Sequence, residues 1–303
     1  LITFDTPYTV TAPTGTDTTS VARREPTISD GVDIVAVPGV VMVNFAPRLT
    51  AGTILISNVE FTGGAIWNVS GADVTLQDVY YHDSTGGFVV RSPFTLNRTR
   101  VVNCNNSNGY CVLSGGGAGD PGGRVTIRQS EFSGGTGLYG AISINGQCGA
   151  AAVTDISTSV FFGNTAGVWS LCPDAPTILV NNTFHANGVG VRYTTIATGN
   201  NDHVLRNNIF TNHTNTAVVC NAASWATRDF HMLNGNAATG CINADASVLT
   251  SNPLYVAAGS GDFRLGFDSP AKDSGGSTPR DLNGPAAGSF TGTAPDRGAR
   301  ETW

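Results

Sequence analysis

The chain has 303 residues, a net charge of −6 and only 13% charged residues, about half the usual share. It carries a single lysine, Lys272, and no basic cluster, which makes nucleic acid and anionic membrane surfaces poor partners, and no apolar run approaches the ~18 residues a membrane helix needs. Glycine accounts for 38 positions, and Asn, Thr and Ser are abundant, a β-rich and turn-rich composition. The chain begins at Leu1 with no Met and no signal peptide, as expected of a mature, processed protein.

Residues 1–53 read as strands, among them Ile2-Thr3-Phe4, Tyr8-Thr9-Val10, Val32-Asp33-Ile34-Val35 and Val40-Val41-Met42-Val43. From residue 54 a pattern sets in. An aliphatic residue is followed five positions later by a large apolar one, at Ile56/Phe61, Leu76/Tyr81, Leu96/Val101, Ile127/Phe132, Ile156/Phe161, Leu179/Phe184 and Leu205/Phe210. The second members step by 20, 20, 31, 29, 23 and 26 residues. Self-similarity at that period marks a solenoid.

One repeat shows the construction. In Val74-Thr75-Leu76-Gln77-Asp78-Val79-Tyr80-Tyr81, Val74 and Leu76 point inward and Thr75 outward, the period of a strand. Asp78 breaks the strand, and Tyr81 returns to the interior. Asn58, Asn181 and Asn207 hold the same position as Asp78. Asn and Asp tolerate a left-handed backbone, so this column predicts a bend repeated on every turn. A polar turn follows, then a short apolar strand such as Phe88-Val89-Val90, Ile142-Ser143-Ile144, Val189-Gly190-Val191 or Val218-Val219. The expected fold is all-β, a right-handed parallel β-helix with three short strands per turn. The long steps carry insertions, notably the Gly-rich stretch 114–123, which map to loops on one face of a solenoid.

Residues 242–303 lose the repeat and gain Pro, Gly and Asp. The expected organisation is one continuous domain: N-terminal turns over 1–53, regular repeats over 54–241, and an irregular C-terminal cap over 242–303. Ser251-Asn252-Pro253-Leu254-Tyr255-Val256, Gly261-Asp262-Phe263-Arg264-Leu265, Asp268-Ser269-Pro270-Ala271-Lys272-Asp273-Ser274-Gly275 and Asp296-Arg297-Gly298-Ala299-Arg300-Glu301 resemble the closing segment of secreted bacterial right-handed β-helix repeat proteins. Ile2-Thr3-Phe4-Asp5 resembles their first turn. The chain departs from that pattern at Asn252, where Asp is usual, and at Asp296-Arg297, where Asp-Ile is usual. The resemblance implies the β-helix fold and a secreted or cell-surface location. It leaves function open, because the family includes polysaccharide lyases and adhesins.

Six cysteines, Cys104, Cys111, Cys148, Cys172, Cys220 and Cys241, occur without CxxC pairs, which favours disulfides over zinc. Cys148/Cys172 and Cys220/Cys241 are each about one repeat apart, compatible with bridges between adjacent turns. Cys104 and Cys111 would close a short loop.

Chemistry is less legible. Hydrolases of the polygalacturonase type need clustered Asp residues, and the chain has no Asp-Asp pair. A lyase needs a base and cations beside the uronate, and with one lysine those cations would be arginines. The best catalytic candidates are Tyr81, His82 and Asp83 in the run Tyr80-Tyr81-His82-Asp83, with Arg91 downstream. His82 and His185 share a repeat position and read as outward turn residues. Asp202-His203 near Arg206 reads as a strand end, Arg23-Arg24-Glu25 as a solvated run, and Asp281-Leu282-Asn283-Gly284 as a turn, not a Ca²⁺ loop. No cofactor or resident metal is called for. The first functional reading is an extracellular structural or adhesive protein, self-associating head-to-tail through residues 1–20 and 250–303 into a fibre, with enzymatic activity left open and a polysaccharide lyase the class expected if there is one. The alternative is a carbohydrate-active β-helix, either a lyase or a protein binding an acidic polysaccharide as its glycan ligand. In a third option, Trp67, Trp169 and Trp225 serve as aromatic platforms.

Overall fold

The computed structural model describes residues 2–4, 9–11, 27–28, 33–64, 66–105, 109–115, 122–145, 153–171, 176–194, 203–220, 225–242, 246–277, 290 and 292–300. The chain is an all-β parallel β-helix. Sheet I contains Asp73–Gln77, Phe94–Asn97, Val125–Arg128, Thr154–Ser157, Thr177–Val180, His203–Arg206 and Trp225–Asp229. Sheet II contains Tyr80–His82, Arg100–Val102, Glu131–Ser133, Val160–Phe162, Thr183–His185, Ile209–Thr211 and Met232–Asn234. Two ten-residue strands, Ile34–Val43 and Thr53–Thr62, run through both. Sheet III runs from Thr27–Ile28 through Arg48–Leu49, Trp67–Val69, Phe88–Val90 and Tyr110–Ser114 to Ala238–Gly240.

The apolar pairs set the register. Ile56, Leu76, Leu96, Ile127, Ile156, Leu179 and Leu205 lie side by side in successive strands of sheet I. Phe61, Tyr81, Val101, Phe132, Phe161, Phe184 and Phe210 do the same in sheet II. Phe132, Phe161, Phe184 and Phe210 form a near-parallel stack with centroids 5.1, 5.0 and 4.9 Å apart. Strand alternation places these rings inside, and in-register pairing leaves each facing its equivalent one turn away.

Both corners of sheet II are left-handed columns. Between sheets I and II, Asn58, Asp78, Asn181 and Asn207 have φ of 58, 54, 54 and 56°, as their residue types predict. Arg98, Gln129, Thr158 and Phe230 take the same conformation at the same corner, so register holds it even where the residue does not favour it. Inside each corner a polar ladder meets the backbone groups that the bend frees. Ser130, Ser159, Asn182 and Asn208 accept, from turn to turn, the amides of Thr99, Ser130, Ser159 and Asn182 at 2.9–3.1 Å. At the second corner Asn164, Asn187, His213 and Asn236 repeat the device. Each such bond contributes about 1 kcal/mol, and more is lost if its buried partner is orphaned.

After Met232, Leu249 adds one bridge to sheet II, and the chain then turns back along the outside. The closing segment packs across the outer face of sheet II. Phe263 and Ala299 lie against Val160, while Leu265 and Ala271 lie against Ile209 and Met232. Arg297, 4% exposed, reaches the carbonyl oxygens of His231, Ser247 and Ser274 at 2.5, 2.7 and 2.7 Å. Asn181 and Asn207, from the left-handed column, bind Asp296 and Gly276.

Cys220 and Cys241 form a disulfide between adjacent turns, with Cα atoms 6.0 Å apart. Cys104 and Cys111 do not close the expected loop. They are separate buried thiols, because Cys104 Sγ turns to the carbonyl of Gly86 at 3.1 Å and Cys111 Sγ to that of Cys104 at 3.4 Å. Cys148 and Cys172 lie outside the described residues.

Candidate functional site

Outward positions on sheet II divide into two stretches. Over the early turns they include Glu60, Tyr80, His82, Arg100 and Glu131, which the described part of the closing segment leaves open. Over the later turns they are Val160, Phe162, Thr183, His185, Ile209 and Met232, which it covers.

The open stretch is an ionic lattice. His82 sits between two carboxylates, its Nε2 3.0 Å from Glu60 and its Nδ1 2.8 Å from Asp83. Tyr80 stacks on the imidazole with centroids 4.3 Å apart. Desolvation lowers the pKa of His82, but the hydrogen bonds to Asp83 and Glu60 more than offset it and hold the imidazole above its usual value. Asp83, also bonded by Asn103 at 2.9 Å, is held below the usual carboxylate range by those two hydrogen bonds. One turn on, Arg100 bonds Glu131 at 2.9 Å and lies 5.4 Å over the Tyr80 ring. His82 is therefore a clamp between two carboxylates, with both ring nitrogens already engaged.

Around the first corner, on the outer face of sheet I, lies a cleft of 460 Å³. Thr75, Thr95, Asn97, Arg98, Arg128, Gln129 and Thr158 line it. These side chains come from successive turns, so hydroxyls, amides and guanidiniums recur at the strand spacing of ~4.8 Å. Asp78 grips Arg98 through two bonds of 2.7 Å, and these hydrogen bonds lower the pKa of the carboxyl and raise that of the guanidinium. Asp155, 2% exposed, grips Arg128 at 2.9 and 3.2 Å. Both guanidinium planes are thus fixed before any ligand arrives, which lowers the entropic cost of binding.

The four sequence candidates do not converge. His82 and Asp83 touch on sheet II. Tyr81 lies in the core, its hydroxyl 2.5 Å from Ser84 Oγ, and burial pushes its pKa upward. Inward alternation puts it there and removes it from any outer chemistry. Arg91 follows the sheet III strand Phe88–Val90 and lines a different cleft with Arg48. His185 is outward but is not a surface turn residue. Phe263 and Tyr255 cover it at centroid distances of 5.2 and 6.0 Å, and burial lowers its pKa. His203 is a strand-end residue as expected, buried and accepting the Thr177 amide at 3.2 Å. Trp67 is core. Trp169 faces outward, but the Arg192 guanidinium lies 4.4 Å over its ring. The Trp225 side chain, the runs Arg23-Arg24-Glu25 and Asp281-Leu282-Asn283-Gly284, and Asp202 lie outside the described residues. Among the described residues, no group of three His, Cys, Asp or Glu side chains could hold a metal, and no helix is long and apolar enough to cross a membrane.

The sequence reading missed the Arg98/Arg128 cleft. Its signal was opposite charge at corner and outward positions in successive repeats, Asp78 with Arg98 and Arg128 with Asp155.

No protein-family model matches the chain, and no curated protein matches it. Among solved structures it is similar to the crystal structure of pectate lyase Pel9A. The identity is 15% and the TM-score 0.49, over 99% of this chain and 87% of that one.

Proposed function

We propose that the chain is an extracellular glycan-binding β-helix whose ligand lies along the turns in the sheet I cleft and reaches over the corner toward Tyr80. The observation that carries this reading is the 460 Å³ cleft, whose lining consists of hydroxyl, amide and guanidinium groups with both arginines held in place by buried or half-buried carboxylates. Such groups match sugar hydroxyls and carboxylates, and a ladder of them suits a polymer. The ionisable groups nearby hold one another, which favours recognition over turnover. The Cys220–Cys241 bridge supports an oxidising compartment.

A glycan panel followed by calorimetry tests the reading. Arg98→Ala and Arg128→Ala should each weaken the best ligand at least about tenfold, the size of one charge-assisted pair. Binding to no glycan on the panel, or unchanged affinity in both variants, would overturn it. Ultraviolet absorbance of unsaturated uronate products, if it rises with time, converts the binder into a lyase.

Head-to-tail assembly is the second reading. It draws on the N-terminal edge, where the strands Ile2–Phe4 and Thr9–Thr11 pair, among the described residues, only with Ile34–Val43. An unpaired edge templates association. Electron microscopy of the untreated protein showing only dispersed monomers would end that reading.

A further inference from the structure

The second outward column of sheet II changes character along the solenoid. Phe162, His185, Thr211 and Asn234 are register neighbours in successive turns. Phe162 packs on Phe263 of the closing segment, with centroids 5.2 Å apart. The next three residues are polar, and here the cover does not seal. A hollow of 350 Å³ remains between this column and the stretch from Asn252 to Ala258. Ligand clefts run from about 300 to 1,000 Å³, so this one is sized for a sugar unit or a chain end and not for a threaded polymer.

Its walls are fixed on both sides, which lowers the entropic cost of binding. On the sheet, Thr211 Oγ1 lies 2.8 Å from His185 Nδ1, and the rings of Tyr255 and Phe263 hold the imidazole in place. Nε2 is then the polar atom that the imidazole has left for the hollow. Burial lowers the pKa of His185, so the ring is uncharged near neutral pH. On the closing segment, Asn252 Oδ1 accepts the Leu254 amide at 2.9 Å, and Gly266 donates to the Leu254 carbonyl at 2.7 Å. Asn234 Nδ2 joins the two walls by donating to the Thr250 carbonyl at 3.0 Å. Asn234 thus keeps an acceptor oxygen, Asn252 keeps a donor nitrogen, and Asn212 at the second corner brings both. Pro253 and Leu254 add apolar surface beside them. Among the described residues no acidic side chain, lysine or arginine lines the hollow, in contrast to the sheet I cleft with Arg98 and Arg128.

We propose that this hollow binds a neutral sugar unit, with His185 Nε2 and the carboxamides of Asn212, Asn234 and Asn252 on its hydroxyls. A hydroxyl both donates and accepts, and carboxamides beside an uncharged imidazole answer both needs. A carboxylate would lose its water there without gaining a cation. The site does not rest on the glycan-binding reading above. It uses other residues on another face, so either can fail alone.

The experiment titrates the isotopically labelled full chain with galactose, glucose, mannose, xylose and N-acetylglucosamine in turn, and with galacturonate. NMR follows the His185 imidazole and the amides of residues 252–258, and calorimetry gives the affinity. At least one neutral sugar should shift these signals saturably, and galacturonate should bind at least about fivefold more weakly than the best of them. His185→Phe, which keeps a ring against Tyr255 and Phe263, should weaken that sugar about tenfold. Asn212→Gly, which suits the left-handed backbone at φ 56°, should weaken it about fivefold, the size of one neutral hydrogen bond. Asn212 is exposed, so this variant keeps the fold even where the ring change disturbs the cover. No saturable shift by any neutral sugar, wild-type affinity in His185→Phe and Asn212→Gly alike, or tighter binding of galacturonate would overturn the proposal. Loss of the sugar on Arg98→Ala alone would also overturn it, by moving the ligand to the sheet I cleft.

Discussion

The early and late turns share one repeat and one register, yet they differ on both sides of the sheet. Inside, the early turns hold an irregular aromatic group in which Trp67 meets Phe61, Tyr81 and Phe88 edge-on. The late turns hold the parallel stack from Phe132 to Phe210. Outside, the early turns present Glu60, Tyr80, His82, Arg100 and Glu131 to solvent, whereas the late ones present Val160, Phe162, Ile209 and Met232 to the closing segment. The inward residues fix the solenoid in both stretches. The outward ones decide which stretch stays available for a ligand.

The sharpest way to break the contrast is within the late stack. Phe184, fully buried between Phe161 and Phe210, should cost about 3–5 kcal/mol when changed to Ala, read by chemical denaturation. Arg297→Ala, which removes the donor to three carbonyl groups, should cost about 3 kcal/mol. It should raise hydrogen exchange in the closing segment and over Val160–Phe162, while Tyr80–His82 keeps its wild-type protection. Unchanged exchange at Val160–Phe162 would mean that apolar contacts alone hold the segment.

The two halves should also respond oppositely to pH. His213 replaces Asn in the second-corner ladder, and burial lowers its pKa to about 4, below the unfolded value near 6.5. The unfolded state then takes up the proton first. Stability should fall as pH drops through that window, by about 2 kcal/mol at pH 5, and His213→Asn should flatten the dependence. His82 has the opposite sign. Its raised pKa contributes stability that is present below the unfolded value and lost as pH rises through the folded one. Being partly exposed, it contributes less than about 1 kcal/mol. Glu60→Gln should shrink that alkaline loss, visible by NMR titration of the imidazole.

Much of this was readable from residue order. Period-two alternation placed the inward columns of sheets I and II, though not Trp67; Asn and Asp marked the first corner, and a one-repeat spacing paired Cys220 with Cys241. The docking of the closing segment was not read, although Val160, Phe162, Ile209 and Met232 are apolar at positions where alternation points outward. A column of outward apolar residues signals a cover, but only the folded chain names the segment that supplies it. The clefts were hidden for a related reason. Arg98 finds Asp78 at a separation of 20 residues and Arg128 finds Asp155 at 27, distances at which a charge pair looks like two unrelated residues until the turns are aligned.

The return path of the closing segment has a consequence in time. Synthesis runs from the N-terminus, and the covered column is complete once Met232 has emerged, whereas its cover extends as far as Ala299. At about 5–20 residues per second, the interval lasts roughly 3–13 s. For that period each new molecule carries an apolar stripe with nothing on it, so a partner that shields extended hydrophobic surface, or export in a state not yet folded, would suit the production of this chain.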